Sequence, residues 1–129
     1  MDEKILFFFD GHLEALPMYE KLERQILERM AEVVVKVTKT QITFANRCGF
    51  AFVSFNPCRR AKERPPVWMT VSFGLDKQVQ SPRIDAAVEA YPGRWTHHVM
   101  VGSPEEVDEQ LMEWICAAGA FSQSKRRKA

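Results

Sequence analysis

Apolar residues recur at spacings of three and four from Tyr19 through Leu22 and Ile26 to Met30, the repeat of one helical face. A helix is predicted over about residues 15–31, with Pro17 in its first turn, where a missing donor costs nothing. Upstream, the short apolar run Ile5 to Phe9 ends at the turn Asp10-Gly11. Downstream the period changes to two. VVVKVT (33–38) is β-branched, and TQITFAN (40–46) alternates Ile42 and Phe44 with Gln41 and Thr43. Cys48-Gly49 turns the chain into FAFVSF (50–55). VWMTVSFGL (67–75) then sets Val67, Met69, Val71 and Phe73 on one side and Trp68, Thr70 and Ser72 on the other. These four segments are predicted strands.

RIDAAVEAY (83–91) suits either a short helix, capped by Ser81 with Pro82 at its first position, or an extended stretch. THHVMV (96–101) predicts a further strand. Ser103, Pro104 and Glu106 have the spacing of a capping box opening a last helix, whose stripe is Val107, Leu111, Trp114, Ile115 and Ala118. Short links among the first strands predict antiparallel hairpins, and two amphipathic helices need one sheet face to cover. The expected fold is α+β: two layers, a mainly antiparallel sheet of about five strands, and an N-terminal and a C-terminal helix packed on one face.

A length of 129 residues fits a single domain, taken as residues 1–121, followed by a flexible basic tail over 122–129. Apolar runs such as ILFFF fall far short of the ~18 residues a membrane span requires, so no membrane partner is expected. The acidic N-terminus MDEKILFFFDGH has no signal-peptide character, which leads to an expected cytoplasmic location. Cys48, Cys58 and Cys116 form an odd set without a CxxC pair. Reduced thiols are expected, with no metal site and no cofactor. The net charge of +1 hides an uneven distribution. SKRRKA (124–129) carries four of the 18 basic residues, leaving 14 against 17 acids, and RRAKER (59–64) forms a second basic cluster. A uniformly basic nucleic-acid binder is not indicated.

Alternation also sorts the polar residues. Along 94–101, Trp95, His97, Val99 and Val101 share one face and Arg94, Thr96, His98 and Met100 the other. The first set is the more apolar and should meet the helices, burying His97 and leaving His98 on the open face beside Arg94. Adjacent histidines on opposite faces do not chelate one metal unless a bulge re-aims one. The outer face of the 40–46 strand would add Lys39, Gln41, Thr43 and Arg47, with Arg83 joining from the connector. Lys39, Gln41, Arg47, Arg83, Arg94 and His98 therefore form either a candidate anion-binding set, since arginine offers a bidentate fork and lysine a point charge, or simply a solvated sheet face. The leading expectation is a non-enzymatic module binding an anionic small molecule or nucleic acid, through a nucleotide or nucleic-acid phosphate. The alternatives are a small enzyme using His97 or His98 as acid–base with Arg94 stabilising charge, and a protein–protein interaction domain; a homodimer is left open. No GxSxG elbow or glycine-rich phosphate loop is present, so no catalytic residue is assigned. Trp68, Trp95 and Trp114 are most simply core or sheet-edge packing, with Trp68, on the outer face, the one candidate to stack on a base or sugar.

FFDGHLEALPMYEKLERQIL (8–27), KTQITFANR (39–47), SFGL (72–75), SPRI (81–84), YPGRWTHHV (91–99) and EVDEQLMEWICAAGAF (106–121) occur in an order that resembles one family, the bacterial domain-of-unknown-function family DUF5655. The resemblance implies a small bacterial protein. It has relatives that carry the domain as a C-terminal module, some behind nuclease-like domains. It brings no established activity, and hence no catalytic residue. Its most recognisable segments are matched here by Lys39 to Ile42 and Arg94 to Val99.

Overall fold

The alternating segments pair into one antiparallel sheet of six strands, with the order β1-β2-β3-β4-β6-β5. In the computed structural model, which describes residues 2–124, these are β1 (Val34–Val37), β2 (Ile42–Ala45), β3 (Gly49–Ser54), β4 (Met69–Leu75), β5 (Ala86–Tyr91) and β6 (Arg94–Val101). Three α-helices complete the described residues: α1 (Glu3–Phe8), α2 (Leu16–Arg29) and α3 (Glu109–Ser124). The expected two-layer α+β arrangement is present, with six strands rather than about five. The extra strand is β5. Asp85 N–H donates to the His98 carbonyl at 2.9 Å and starts a ladder with β6 that satisfies this stretch as an extended edge, not a helix. Among the described residues no helix is long and apolar enough to cross a membrane.

The predicted stripes meet on one face of the sheet. Tyr19, Leu22 and Ile26 of α2 and Leu111, Ile115 and Ala118 of α3 are buried against Ile42, Phe44, Val53, Val71, Phe73 and Val99. A register shift between Phe44 and Ala45 leaves Phe50 as an extra residue in β3 and turns it toward α3. Gly119 permits this close packing, because a Cβ there would sit 2.6 Å from Met30 Sδ. Tyr19 is buried with its hydroxyl donating to Glu23 Oε2 at 2.6 Å, and burial pushes its phenol far above the usual range.

The start of the last helix differs from the expected capping box. Pro104–Glu106 is a 3-10 turn and Ser103 makes no side-chain cap; Glu106 Oε1 instead accepts from Gly102 N–H at 2.5 Å. Val107 is fully buried and leaves helical geometry (φ −83, ψ 71), so the chain restarts at Asp108. The Asp108 carboxylate accepts from Leu111 N–H at 3.0 Å and caps α3. At the other end α3 runs past residue 121. The Ser122 hydroxyl is buried, accepting from Cys48 N–H at 2.9 Å and donating to its carbonyl at 3.0 Å. Residues 125–129 of the expected tail lie outside the described residues.

Candidate ligand-binding face

The face of the sheet away from the helices begins as a row of hydroxyls. Ser54 is paired with Thr70 across β3 and β4, Ser72 with His98 and Gly74 with Thr96 across β4 and β6. The basic loop after β3 folds over one end of this face. Its Asn56 carbonyl accepts from Thr70 Oγ1 at 2.7 Å, and Arg59 Nε meets Asp85 Oδ1 at 2.9 Å. That cover explains why Thr70 and Met100 are buried although they point away from the helices. Between this loop and the β5–β6 hairpin lies a cavity of about 300 Å³. Gln41, Phe52, Tyr91, Arg94 and His98 line it together with the hydroxyls, and no acidic residue is among the described lining residues.

Arg94 is set by packing. A Cβ on Gly74 would lie 2.7, 2.8 and 3.0 Å from its Nε, Nη2 and Cζ, so the guanidinium packs its Nε–Nη2 edge toward the Gly74 backbone. Its Cζ is 5.9 Å from the centre of the Tyr91 ring, within cation–π range. Nε is shielded and has no hydrogen-bond partner among the described residues, and Arg94 forms no salt bridge there. Across the cavity floor, Ser72 Oγ and His98 Nδ1 share a hydrogen bond of 2.7 Å. Burial lowers the His98 pKa, so the ring is neutral at pH 7 and adds no second charge.

Of the six candidate residues, the fold brings Gln41, Arg94 and His98 together. The other three lie elsewhere. Lys39 sits in the β1–β2 turn and lines a different cleft with Lys4, Phe7 and Asp10 of the α1 region. Arg47 is exposed in the β2–β3 turn, which leans on α3 through Asn46 Nδ2 donating to the Gly119 carbonyl at 2.9 Å. Strand parity does not extend into either turn. Arg83 is clamped on the helix side: Nη1 donates to both Asp108 oxygens at 2.7 and 2.9 Å, Nη2 donates to the Glu106 carbonyl, and the Trp114 ring lies 6.0 Å from Cζ. Trp68 also leaves the open face. It meets Phe55 edge-on at 5.9 Å with Arg64 over it, and Phe55 stacks on Phe8 and His12.

His97 is fully buried under the helices, as alternation predicts. Its Nε2 accepts from Val79 N–H at 2.9 Å, which puts the proton of the neutral ring on Nδ1. The ring lies flat on Phe73, 5.2 Å away, and Phe73 stacks in turn on Trp114 at 5.7 Å. Of the two histidines only His98 lines the cavity, since His97 faces the opposite layer. Burial pushes the His97 pKa below its ordinary 6.5. In the acid range the unfolded chain then binds more protons than the folded one. His97 and His98 act in the same sense: their contribution is whole above pH 6.5 and is lost as the pH falls below it. The urea midpoint should be lower at pH 5.5 than at pH 7.5, and a flat or rising midpoint would contradict the neutral histidines.

Ser72, which alternation already puts on the open face, and Gly74 are site residues that the candidate set leaves out. A lone glycine inside the alternating run VWMTVSFGL was the available signal, because glycine in a strand marks a close approach, here that of Arg94. Cys48, Cys58 and Cys116 are free thiols. Among the described residues no group of three or more His, Cys, Asp or Glu is placed to hold a metal ion. No curated protein and no solved structure matches the chain. A family model does match, over residues 7–124, and by that coverage the chain belongs to the family described as "Domain of unknown function (DUF5655)".

Proposed function

We propose that the protein is a non-enzymatic binding module that takes a small anionic ligand in the open-face cavity, with Arg94 as the charge anchor. The observation that supports this most is an uncompensated guanidinium lining a cavity without acids. A buried or half-buried cation is ordinarily paired, and an anion is the partner its fork geometry suits. Gln41, Ser72 and Thr96 surround it with hydrogen-bonding groups that tolerate either donor or acceptor on the ligand. Long polyanions such as nucleic acid are poorly served, because Lys39, Arg47 and Arg83 lie away from the cavity.

A thermal-shift screen of small anions tests the reading. A ligand at ~100 times its dissociation constant should stabilise the fold by about 2.7 kcal/mol. Arg94→Gln should keep the circular dichroism spectrum and lose that stabilisation. Unchanged ligand-induced shifts in Arg94→Gln would remove Arg94 from the site. The Ser72–His98 hydrogen bond favours a second reading, a small enzyme with His98 as acid–base and Arg94 stabilising developing charge. A serine-directed fluorophosphonate that leaves Ser72 unlabelled would count against its nucleophilic form.

A further inference from the structure

The chemistry of the cavity narrows the ligand beyond "an anion", and this narrowing rests on the reading just given. Arg94 is the single fixed cation among the described lining residues, and the neutral His98 supplies no second one. Nucleoside di- and triphosphates spread several negative charges over their phosphates and are normally met by several cations or by a metal. One guanidinium matches one negative charge.

Shape adds a second constraint. Nε and Nη2 lie nearer than Cζ to the Gly74 Cβ position, so that edge of the guanidinium is turned to the backbone. A compact carboxylate matches the guanidinium fork in both charge and geometry. The Phe52 and Tyr91 rings supply apolar contact along the cavity, which suits a ring rather than a sugar. We infer that the ligand is a small aryl monocarboxylate, its carboxylate on Arg94 and its ring against Phe52 and Tyr91.

Isothermal titration of the intact chain with 2-naphthoate, its neutral amide 2-naphthamide, ADP and inorganic phosphate tests this. The expected order is 2-naphthoate tightest, with the amide, ADP and phosphate each weaker by about tenfold or more. Gly74→Ala puts a methyl against the guanidinium and should weaken 2-naphthoate by about tenfold while leaving the circular dichroism spectrum unchanged. If ADP or phosphate binds more tightly and that binding is lost in Arg94→Gln, the aryl carboxylate is wrong and the anion cavity stands. If the amide binds as well as the acid, the cavity reads no charge and the inference fails. If none of the four probes binds, both the inference and the anion-binding reading are overturned.

Discussion

Phe73→Ala is expected to cost about 3–5 kcal/mol of folding free energy, the range for a fully buried phenylalanine whose neighbours do not collapse into the space. Phe73 is completely inaccessible and lies between two rings, with His97 at 5.2 Å on one side and Trp114 at 5.7 Å on the other. Both partners are pinned. His97 is tied to Val79 N–H, and Trp114 lies under Arg83, which Asp108 and the Glu106 carbonyl hold. The cavity left by the ring therefore has little to fill it. With a urea m-value of roughly 1–3 kcal/mol/M, the midpoint should fall by about 2 M. Phe73→Leu keeps most of the volume and should cost less than about 1.5 kcal/mol. Equal costs for the two variants would show that the stack contributes no more than a methyl-sized cavity, and the account of the β4–β6–α3 core would have to change. Loss of the ring should also open His97 to solvent and weaken the acid dependence of stability, because its pKa then returns toward the ordinary value.

Legibility in the sequence follows strand parity closely. His97 and His98 are separated correctly because β6 pairs with β4 without a break from Trp95 to Val101, so every second residue keeps its face. Parity fails where the ladder ends. Lys39 and Arg47 stand in turns, and the bulge between Phe44 and Ala45 swings the second of these turns toward α3. Arg83 fails for another reason: its partner Asp108 lies 25 residues away, and no local pattern announces that pair. The misplaced helix start is instructive in the same way. Ser103, Pro104 and Glu106 satisfy the spacing of a cap, yet burial of Val107 forces the chain to restart one residue later at Asp108, itself a good cap. The site was half visible. Arg94 and His98 could be placed on one face from alternation alone. The support under them, the Gly74 floor and the Ser72 hydrogen bond, needed the register of β4 against β6.

Asp85→Ala is expected to destabilise the fold by about 2–3 kcal/mol and to loosen one wall of the open-face cavity. The carboxylate accepts from Arg59 Nε at 2.9 Å and from Met100 N–H at 3.0 Å, and the Cys58 sulfur lies 3.8 Å from it. Its side chain is 15% exposed and that of Arg59 29%, so solvent screens part of the ion pair. The larger share comes from the Met100 amide, which is buried and would lose its acceptor. Asp85→Asn keeps an acceptor oxygen without the charge and should cost about half as much. The loop carries a probe of its own attachment. Burial first, and then the charge of Asp85, hold the Cys58 thiol above its ordinary pKa. Removing the carboxylate and freeing the loop should lower that pKa and raise access, so Cys58 should react faster with iodoacetamide at pH 7.5. Cys48 and Cys116, on other elements, should react at their original rates, which peptide-resolved mass spectrometry can read separately. Arg94 is untouched by this change, resting on Gly74 at the far end of the cavity. A ligand anchored there should therefore bind more weakly in Asp85→Ala without losing its dependence on Arg94. If Cys58 alkylation is unchanged while stability falls, Asp85 supports the sheet edge alone, and the basic loop is held over the cavity by the Thr70–Asn56 hydrogen bond instead.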